Sequence, residues 1–401
     1  MNGADLVLQN FPAAMRSLRI AMVTETYPPE INGVAMTMGR IVAGLQDRGH
    51  TVQLIRPRQS ASDQPAQQER FEEVLQRGVP IPRYDALKLG LPAKQALTRL
   101  WAKQRPDIVH VVTEGPLGWS ALSAANKLRL PVATDFHTNF HSYSEHYGVG
   151  WLKKPITAYL RKFHNKAQRT LVPTASLRDE LAALGLARLQ VVARGVDTGL
   201  FHPGRRSTEL RASWGAGDGD LVVSYVGRLA PEKNLPLVLQ AWTAMRELRP
   251  DAKLVLVGDG PERAKLQREN PGIVFAGMRT GEDLAAHYAS GDVFLFPSIT
   301  ETYGNVTIEA MASGLAVVAY DYASAREHIR HHVNGLLAPF DHGDAFMNLA
   351  AALARDGTRI RELGARARET AARLDWSCIV AEFERAMLEV SATAVDADAL
   401  A

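Results

Sequence analysis

Two acidic side chains, Glu301 and Glu309, flank the predicted start of a helix. Glu301 lies in a predicted loop, Gly304 forms a turn, and the helix is predicted to begin at about Asn305. Glu309 lies four residues beyond Asn305, so both side chains can face the same side of that helix. The amides of residues 303–306 would point out of its positive end and can hold a diphosphate or sugar oxygens without a metal. Because a carboxylate accepts two hydroxyl hydrogen bonds at once, we predict that each acid binds one sugar ring.

The same two acids have a purely structural alternative. Glu301 can cap the helix, and Glu309 can be a solvated helical residue. Acids at this spacing alone favour that alternative. The glycine turn, the apolar helix IEAMASG and the strand that follows it favour a ligand site instead.

A second motif places two cations at the end of a predicted strand. The segment 226–234, VGRLAPEKN, ends the strand at Gly227 and Arg228 and carries Lys233 just before a helix. Fixed cations at a strand end stabilise the charge that grows on a departing nucleotide diphosphate. The alternative is that both are ordinary surface cations.

A third motif joins the first predicted strand to a helix through a Pro-Pro pair and an Asn32-Gly33 turn. Gly33 would let backbone amides approach a diphosphate from the opposite side of a cleft. Loop geometry alone is the alternative explanation.

Two other nucleotide-binding motifs are not satisfied. The nearest dinucleotide fingerprint begins at Gly258 and Gly260, but Arg263 occupies the position of the third glycine, and no Walker A sequence occurs. A metal site is not predicted either, because no HExxH motif is present and the pair His137 and His141 spans a predicted loop.

Composition limits the class of protein. A length of 401 residues predicts two domains, and 46 Lys and Arg against 43 Asp and Glu give no overall charge that indicates a nucleic-acid partner. The single cysteine, Cys378, excludes an intramolecular disulfide and favours the cytoplasm. The N-terminal segment lacks the apolar core of a secretory signal, and no apolar run predicts a membrane span.

Short β-branched runs alternate with helical stretches, which predicts an α/β fold of two Rossmann-like, doubly wound parallel sheets. The first set of strands is predicted at 19–25, 51–57, 108–114, 131–137 and 170–174, and the second at 221–228, 253–260, 273–278, 292–298 and 315–322. Ligands bind at the carboxyl ends of such strands, so the three motifs would line one cleft between the domains.

The Gly-, Pro- and Arg-rich segment 191–207 is predicted to link the two domains. The predicted divisions are a flexible extension at 1–17, an N-terminal domain at 18–196, a C-terminal domain at 197–375, a helix at 376–390 that crosses back, and a disordered tail at 391–401.

Residues 151–169 contain six Lys or Arg and no acid. Leu152, Ile156, Tyr159, Leu160 and Phe163 recur there at helical spacing. A basic amphipathic helix is suited to the surface of an anionic membrane. The alternative is an ordinary helix packed on the first domain.

The motifs ETYGNVTIEAMASG, VGRLAPEKN, NGV and GVDTGLFHP together resemble the retaining glycosyltransferases of family GT4, which have the GT-B fold. The resemblance spans roughly residues 19–340. Within that family, TEGPLG (113–118), DFHTNF (135–140) and RGVDTGLFHP (194–203) are similar to the branch of GDP-mannose-dependent α-mannosyltransferases and diacylglycerol or sulfoquinovosyl-type glycosyltransferases.

The resemblance implies a role for each matching residue. Arg228 and Lys233 would bind the donor diphosphate, Glu301 the donor sugar and Glu309 the ribose. His137 would lie near the transferred sugar and, with Arg228, Lys233 and Glu301, would form the catalytic set. The other implied donor contacts are Gly33, Gly227, Met278 beside the base, Tyr303, Gly304, Asn305 and Val306, and the implied acceptor contacts are Glu114 and Asn139.

Two positions depart from the family pattern. Tyr303 stands where Phe is commoner, and Arg194 stands where the linker often has Asn. The second departure leaves the contacts of the linker open.

The resemblance also implies the reaction. A hexose would pass from GDP-mannose or a UDP-hexose to a hydroxyl of a lipid or glycolipid, with retained configuration and without a metal or other cofactor. The alternatives are a sugar-nucleotide epimerase, a phosphorylase, a nucleotide-sugar sensor, and transfer to a soluble or polysaccharide acceptor. A glycosidase is disfavoured because its two acids must flank one bond. The expected location is the cytoplasm or the inner face of the plasma membrane.

Overall fold

The computed structural model describes residues 16–30, 32–81, 84–137, 153–301 and 303–399, which form two α/β domains. The N-terminal domain contains an eight-stranded sheet with the order β10-β9-β8-β7-β1-β2-β4-β3. Its strands are β1 Arg19–Val23, β2 Thr51–Pro57, β3 Gln67–Gln68, β4 Phe71–Gln76, β7 Ile108–Val111, β8 Val132–Asp135, β9 Arg169–Val172 and β10 Leu189–Val191. All of these described strands pair in parallel except β3 with β4. A separate antiparallel hairpin consists of β5 Gly78–Ile81 and β6 Tyr84–Gly90.

The C-terminal domain contains a six-stranded parallel sheet with the order β13-β12-β11-β14-β15-β16. Its strands are β11 Val222–Val226, β12 Lys253–Val257, β13 Val274–Gly277, β14 Val293–Phe296, β15 Ala316–Tyr320 and β16 Leu336–Ala338. Every residue of β11 and β15 is buried. Their continuous apolar sequences, VVSYV and AVVAY, are what a parallel strand covered on both faces requires.

Helices cover these sheets and connect their strands. They are α1 Gly33–Asp47, α2 Lys94–Lys103, α3 Pro116–Lys127, α4 Lys153–His164, α5 Ala175–Ala183, α6 Thr208–Ser213, α7 Leu235–Leu248, α8 Arg263–Glu269, α9 Gly281–Ala289, α10 Asn305–Ala312, α11 Ala323–His328, α12 Gly343–Ala354, α13 Gly357–Ala371 and α14 Trp376–Ala399.

Each of the ten predicted strands overlaps an observed strand. Most observed strands end a few residues earlier, because the Gly, Pro and polar residues at their carboxyl ends form the loops that carry the candidate site. Six observed strands were not predicted from the sequence, namely β3, β4, β5, β6, β10 and β16. The strand β4 mixes charged and apolar residues, and β10 and β16 have only three residues each, so none carries a clear periodic signal.

The two domains meet where the chain enters and leaves the second one. Val196 forms a parallel bridge with Asp375, and its backbone amide donates to the carbonyl of Leu374 at 2.9 Å. The predicted domain boundaries fall at this crossing point. Of the predicted extension at 1–17, only Arg16 and Ser17 are among the described residues.

The helix α14 lies on the N-terminal domain. Ile379, Val380 and Phe383 share a buried core with Ile41 of α1. The helix continues to Ala399, so the prediction of a disordered tail from 391 is wrong as far as that residue. The segment SATAVDADA is rich in Ala and contains no Gly or Pro, and therefore nothing in it ends a helix.

The helix α4 lies within the predicted basic amphipathic segment. Its apolar residues Leu160 and Phe163 are 3% and 0% exposed, so they pack into the N-terminal domain. Lys154, Arg161 and Lys162 are exposed. The predicted apolar residue Leu152 lies outside the described residues. Among the helices in the described ranges, none combines the length and apolarity needed to cross a bilayer.

Candidate active site

Glu301 and Lys233 lie together at the carboxyl edge of the C-terminal sheet. Glu301 follows β14, and Lys233 follows β11, the neighbouring strand. The Lys233 ammonium contacts Glu301 Oε1, and Ser298 Oγ donates to the same oxygen at 2.7 Å. Two residues from separate motifs therefore form one charged pair, and Ser298, at the end of a predicted strand, is a third member of the group.

The start of α10 is open. Gly304, the residue before the helix, has φ +87°, and as a glycine it has no side chain to cap the amides of the first turn. Ser324 Oγ donates to the Gly304 carbonyl at 2.9 Å, which fixes this turn from α11. The first amides of a helix attract anions when nothing else occupies them. This geometry is compatible with the predicted ligand contacts at Gly304, Asn305 and Val306.

Glu309 faces α9 within the same domain. Tyr288 OH donates to Glu309 Oε2 at 2.8 Å. Burial raises the pKa of Glu309 to about 7, although the hydrogen bond from Tyr288 acts in the opposite direction. Glu309 is therefore neither a fully solvated residue, as the structural alternative expects, nor part of the Lys233–Glu301 pair.

Arg228 lies in the same loop as Lys233 and remains accessible. Its side chain is 50% exposed, and Nη1 lies 3.7 Å from Oε1 of the buried Glu232. Gly227 has φ +153°, and its backbone amide donates to the Val257 carbonyl at 3.0 Å. The loop after β11 is thereby held against the end of β12.

Gly258 and Gly260, the incomplete dinucleotide fingerprint, allow this close approach. A Cβ on Gly258 would lie 2.0 Å from the Gly227 carbonyl oxygen, and one on Gly260 would lie 2.3 Å from that of Leu229. The two glycines therefore let the loops after β11 and β12 pack backbone against backbone. They shape the loop that carries Arg228, a role that the sequence analysis did not predict.

The opposite side of the cleft is the start of α1. Asn32 is the N-cap, and its Oδ1 accepts from the amides of Val34 and Ala35 at 3.1 and 2.9 Å. Gly33 is the first helical residue rather than part of a free turn. A Cβ on Gly33 would lie 3.4 Å from Arg194 Nη1 and 3.9 Å from Asn305 Nδ2. The N-termini of α1 and α10 therefore face each other across a narrow gap.

His137 belongs to a buried charged network at the end of β8. Its Nε2 lies 2.8 Å from Asp135 Oδ2, and His110 Nε2 lies 3.1 Å from the same oxygen. Burial alone would raise the pKa of Asp135, but His110 and His137 hold it well below its usual value. Arg194 Nη2 lies 3.1 Å from His137 Nδ1. Because a guanidinium only donates, Nδ1 accepts, and a neutral imidazole then carries its proton on Nε2 beside Asp135.

The side chain of Tyr303 is structural. It is 1% exposed, and its hydroxyl lies 2.9 Å from both the Arg194 carbonyl oxygen and His328 Nε2. Any contact that Tyr303 makes with the donor would therefore involve its backbone. Met278 follows β13 and is 61% exposed, so it is accessible at the sheet edge where the resemblance implies the nucleotide base.

Of the two predicted acceptor residues, Glu114 lies in the described part of the N-terminal domain. Glu114 is 7% exposed, and its Oε1 lies 3.4 Å from His164 Nε2. Glu25 is close by, and burial raises its pKa to about 7, with a further contribution from the charge of Glu114. Asn139 and the histidines 141 and 146 lie outside the described residues. Within the described part of the chain, no group of three His, Cys, Asp or Glu residues is arranged to hold a metal ion.

Comparisons with known proteins identify the family. The profile described as "Glycosyl transferases group 1" matches residues 220–356, and "Glycosyltransferase Family 4" matches residues 31–200. The GDP-mannose-dependent alpha-mannosyltransferase of Mycobacterium tuberculosis is 37% identical over 82% of this chain and 86% of its own length. Sulfoquinovosyl transferase SQD2 of Arabidopsis thaliana is 34% identical over 75% of this chain and 60% of its own length.

Solved structures agree on the fold. Sucrose-phosphate synthase from Thermosynechococcus elongatus superposes with a TM-score of 0.74 at 18% identity, over 94% of this chain and 100% of that structure. Anabaena HepE in complex with UDP and glucose gives a TM-score of 0.71 at 17% identity, over 93% and 100%. Structural likeness at such low identity supports the GT-B fold, and the sequence matches span both domains. The chain belongs to glycosyltransferase family 4 and is a GT-B-fold hexosyltransferase that uses a nucleotide sugar.

Proposed function

We propose that this enzyme transfers a hexosyl group to a hydroxyl of a lipid or glycolipid, with retained anomeric configuration and without a metal ion. The observation that carries the proposal is the convergence of Lys233, Glu301 and the start of α10, with Arg228 accessible in the loop that carries Lys233. GDP-mannose is the first donor to test because three relatives, 34–37% identical to this chain, are named GDP-mannose-dependent alpha-mannosyltransferases. A UDP-hexose is the second.

In the proposed reaction the acceptor hydroxyl attacks the anomeric carbon on the face from which the nucleotide diphosphate leaves. The new glycosidic bond forms, the bond between the anomeric carbon and the phosphate oxygen breaks, and the hydroxyl proton passes to a phosphate oxygen. Arg228, Lys233 and the first amides of α10 stabilise the charge on the leaving diphosphate. Glu301 binds the sugar hydroxyls, and Glu309 binds the ribose. His137, oriented by Asp135 and Arg194, positions the sugar.

The lipid acceptor is supported by the names of relatives. Two examples are the alpha-monoglucosyldiacylglycerol synthase of Streptococcus pneumoniae, which is 28% identical to this chain, and the GDP-mannose-dependent alpha-(1-6)-phosphatidylinositol monomannoside mannosyltransferase of Mycobacterium tuberculosis, which is 27% identical. Lys154, Arg161 and Lys162 form an exposed cationic face on α4 that suits an anionic bilayer. We expect sedimentation with phosphatidylglycerol vesicles and weaker binding by a variant with Lys154→Glu and Lys162→Glu. Equal binding of both proteins would remove the membrane contact from the proposal.

The donor is tested by thermal shift with GDP-mannose, UDP-glucose and UDP-galactose, since a ligand stabilises the folded state according to its affinity and concentration. The absence of any shift would contradict the proposed function. With the donor found, NMR of the first-formed product reports the configuration, and a β-linked product from an α-linked donor would exclude retention. Activity that survives EDTA supports metal independence, whereas conversion of the donor to an epimer without an acceptor would identify an epimerase.

A further inference from the structure

Arg194 is a buried cation that forms no direct ion pair with a carboxylate in the described part of the chain. It lies in the linker and is 7% exposed. Among the described residues, its contacts are His137 Nδ1 at 3.1 Å and the ring of Tyr303 at 5.8 Å, and its buried Nε has no hydrogen-bond partner. Burial lowers the pKa of this guanidinium. Burying a charge is costly unless an anion compensates it, so the position calls for an anionic ligand.

Other buried arginines of this chain have acidic partners. Arg211 is 0% exposed, and its Nη1 lies 3.2 Å from Asp292 Oδ2. Arg56 is 6% exposed and contacts both Asp63 and Glu73 at 2.7 and 3.0 Å. Arg194 therefore differs from these structural arginines, because no described carboxylate pairs directly with it and stabilises its buried charge.

The guanidinium of Arg194 also lies where two helix N-termini meet. Its Nη1 is 3.4 Å from the position of a Cβ on Gly33, the first residue of α1, and that position is 3.9 Å from Asn305 Nδ2 in the first turn of α10. Both helices direct their positive ends into this gap. The gap therefore receives positive charge from Arg194 and from the two helix ends, while the charges of Asp135 and Glu301 favour the ionised form of Arg194.

We propose that Arg194 binds the donor diphosphate as a third cation, from the linker, while its Nη2 holds His137 beside the transferred sugar. This proposal rests on the proposed function. It assigns to the linker a direct part in donor binding. The phosphate would supply the direct anionic contact that no described carboxylate makes with Arg194, since Asp135 and Glu301 act on it only from a distance. A guanidinium is suited to this role because its several N–H groups can serve phosphate and imidazole at the same time.

The test compares nucleoside diphosphates with monophosphates. We expect Arg194→Met to weaken GDP binding by about tenfold or more in calorimetry, as the loss of a charge-assisted hydrogen bond predicts, and to leave GMP binding within about twofold. UDP and UMP form the second pair if the protein prefers uracil. Arg194→Lys, which keeps the charge, should recover part of the GDP affinity. Arg246→Ala, on the exposed side of α7, is the control and should change neither.

Thermal unfolding separates this role from a structural one. An unpaired buried guanidinium destabilises the unliganded protein, so Arg194→Met should keep or raise Tm without nucleotide. A lower Tm, or equal losses of GDP and GMP affinity, would show that Arg194 supports the fold and would overturn the proposal. Unchanged GDP affinity would overturn it as well, and the proposed function would stand. If the wild-type protein binds neither GDP nor UDP, both fail.

Discussion

Glu309 lies on the short helix α10, where an acid is usually solvated, but its environment is different. Burial raises its pKa to about 7, and Tyr288 holds it in place. At neutral pH part of the population is therefore protonated in the absence of a ligand. A ribose that donates hydroxyl hydrogen bonds would favour the ionised form, so donor binding and proton release at Glu309 are expected to be linked.

This raised pKa predicts a pH-dependent stability. The folded state retains the Glu309 proton longer than the unfolded state, so its contribution is fully present below about pH 4.5 and is lost as pH rises to about 7. Relative to Glu309→Gln, the wild-type free energy of unfolding should fall across this window, by up to about 3 kcal/mol. Urea unfolding of both proteins at pH 5 and pH 8 measures the difference. Parallel pH profiles would show that Glu309 titrates normally.

Arg228 and Lys233 are expected to act on turnover rather than on folding. Arg228 is half exposed, so Arg228→Ala should leave Tm nearly unchanged while it lowers kcat/KM by about 100-fold, the typical loss for one group that stabilises a developing charge. Lys233→Ala should cause a similar loss and also leave Glu301 without its cation. Initial rates with the identified donor provide the measurement, and Lys265→Ala on the surface of α8 is the control. Near-normal rates in both variants would contradict the assigned site.

At the scale of elements, the start of α10 depends on a backbone conformation that L-residues avoid. Gly304 has φ +87°, which directs the next amides toward the cleft. An Ala there would strain the backbone, and its Cβ would lie 3.2 Å from Ser324 Oγ. We expect Gly304→Ala to lower both the free energy of unfolding, by about 1–2 kcal/mol, and the affinity for the nucleotide.

Gly215 provides a matched control for this substitution. It has φ +70° with nothing within 4 Å of an added Cβ, so Gly215→Ala carries the same backbone strain outside the cleft. It should destabilise the fold by a similar amount and leave calorimetric GDP or UDP affinity unchanged. If both variants lose nucleotide affinity equally, the effect is a general loss of stability rather than a property of α10.

Features that depend on residues close together in the sequence were predictable, whereas contacts between residues far apart in the sequence were not. The strands β11 and β15 were predictable because their apolar runs are continuous. That Lys233 and Glu301 line one cleft was predictable because both follow strands of one parallel sheet, but their direct contact was not predicted. The position of Arg194 was not predictable. Its contacts come from β8, α1 and the loop before α10, which only the tertiary structure brings together.

At the scale of the whole molecule, several contacts connect the domains around the cleft. The Tyr303 hydroxyl donates to the Arg194 carbonyl at 2.9 Å, and the Ser176 amide of α5 donates to Glu327 Oε1 of α11 at 3.2 Å. Arg40 of α1 pairs with Asp197 at 2.6 Å. The linker is thus bound to the loop before α10 on one side and to the N-terminal domain on the other. A ligand that orders either side therefore also constrains the linker.

The largest of these connections is α14, which leaves the C-terminal domain and completes the core of the N-terminal one. Phe383 is 2% exposed and contacts His110 edge to face at a ring distance of 4.9 Å. We expect Phe383→Ala to destabilise the N-terminal domain by about 3–5 kcal/mol, because the substitution leaves a cavity between α14 and the sheet. Arg385→Ala, exposed on the same helix, should leave thermal unfolding unchanged.

Unfolding with and without nucleotide can show whether the loss of stability in Phe383→Ala is confined to the N-terminal domain. A ligand that binds mainly the C-terminal domain raises the unfolding temperature of that domain in calorimetry. If the domains unfold separately, Phe383→Ala should lower the transition that nucleotide does not shift and leave the other in place. If α14 couples them into one cooperative unit, a single transition should move with both the substitution and the ligand. An unchanged unfolding profile in Phe383→Ala would mean that α14 does not stabilise the N-terminal core.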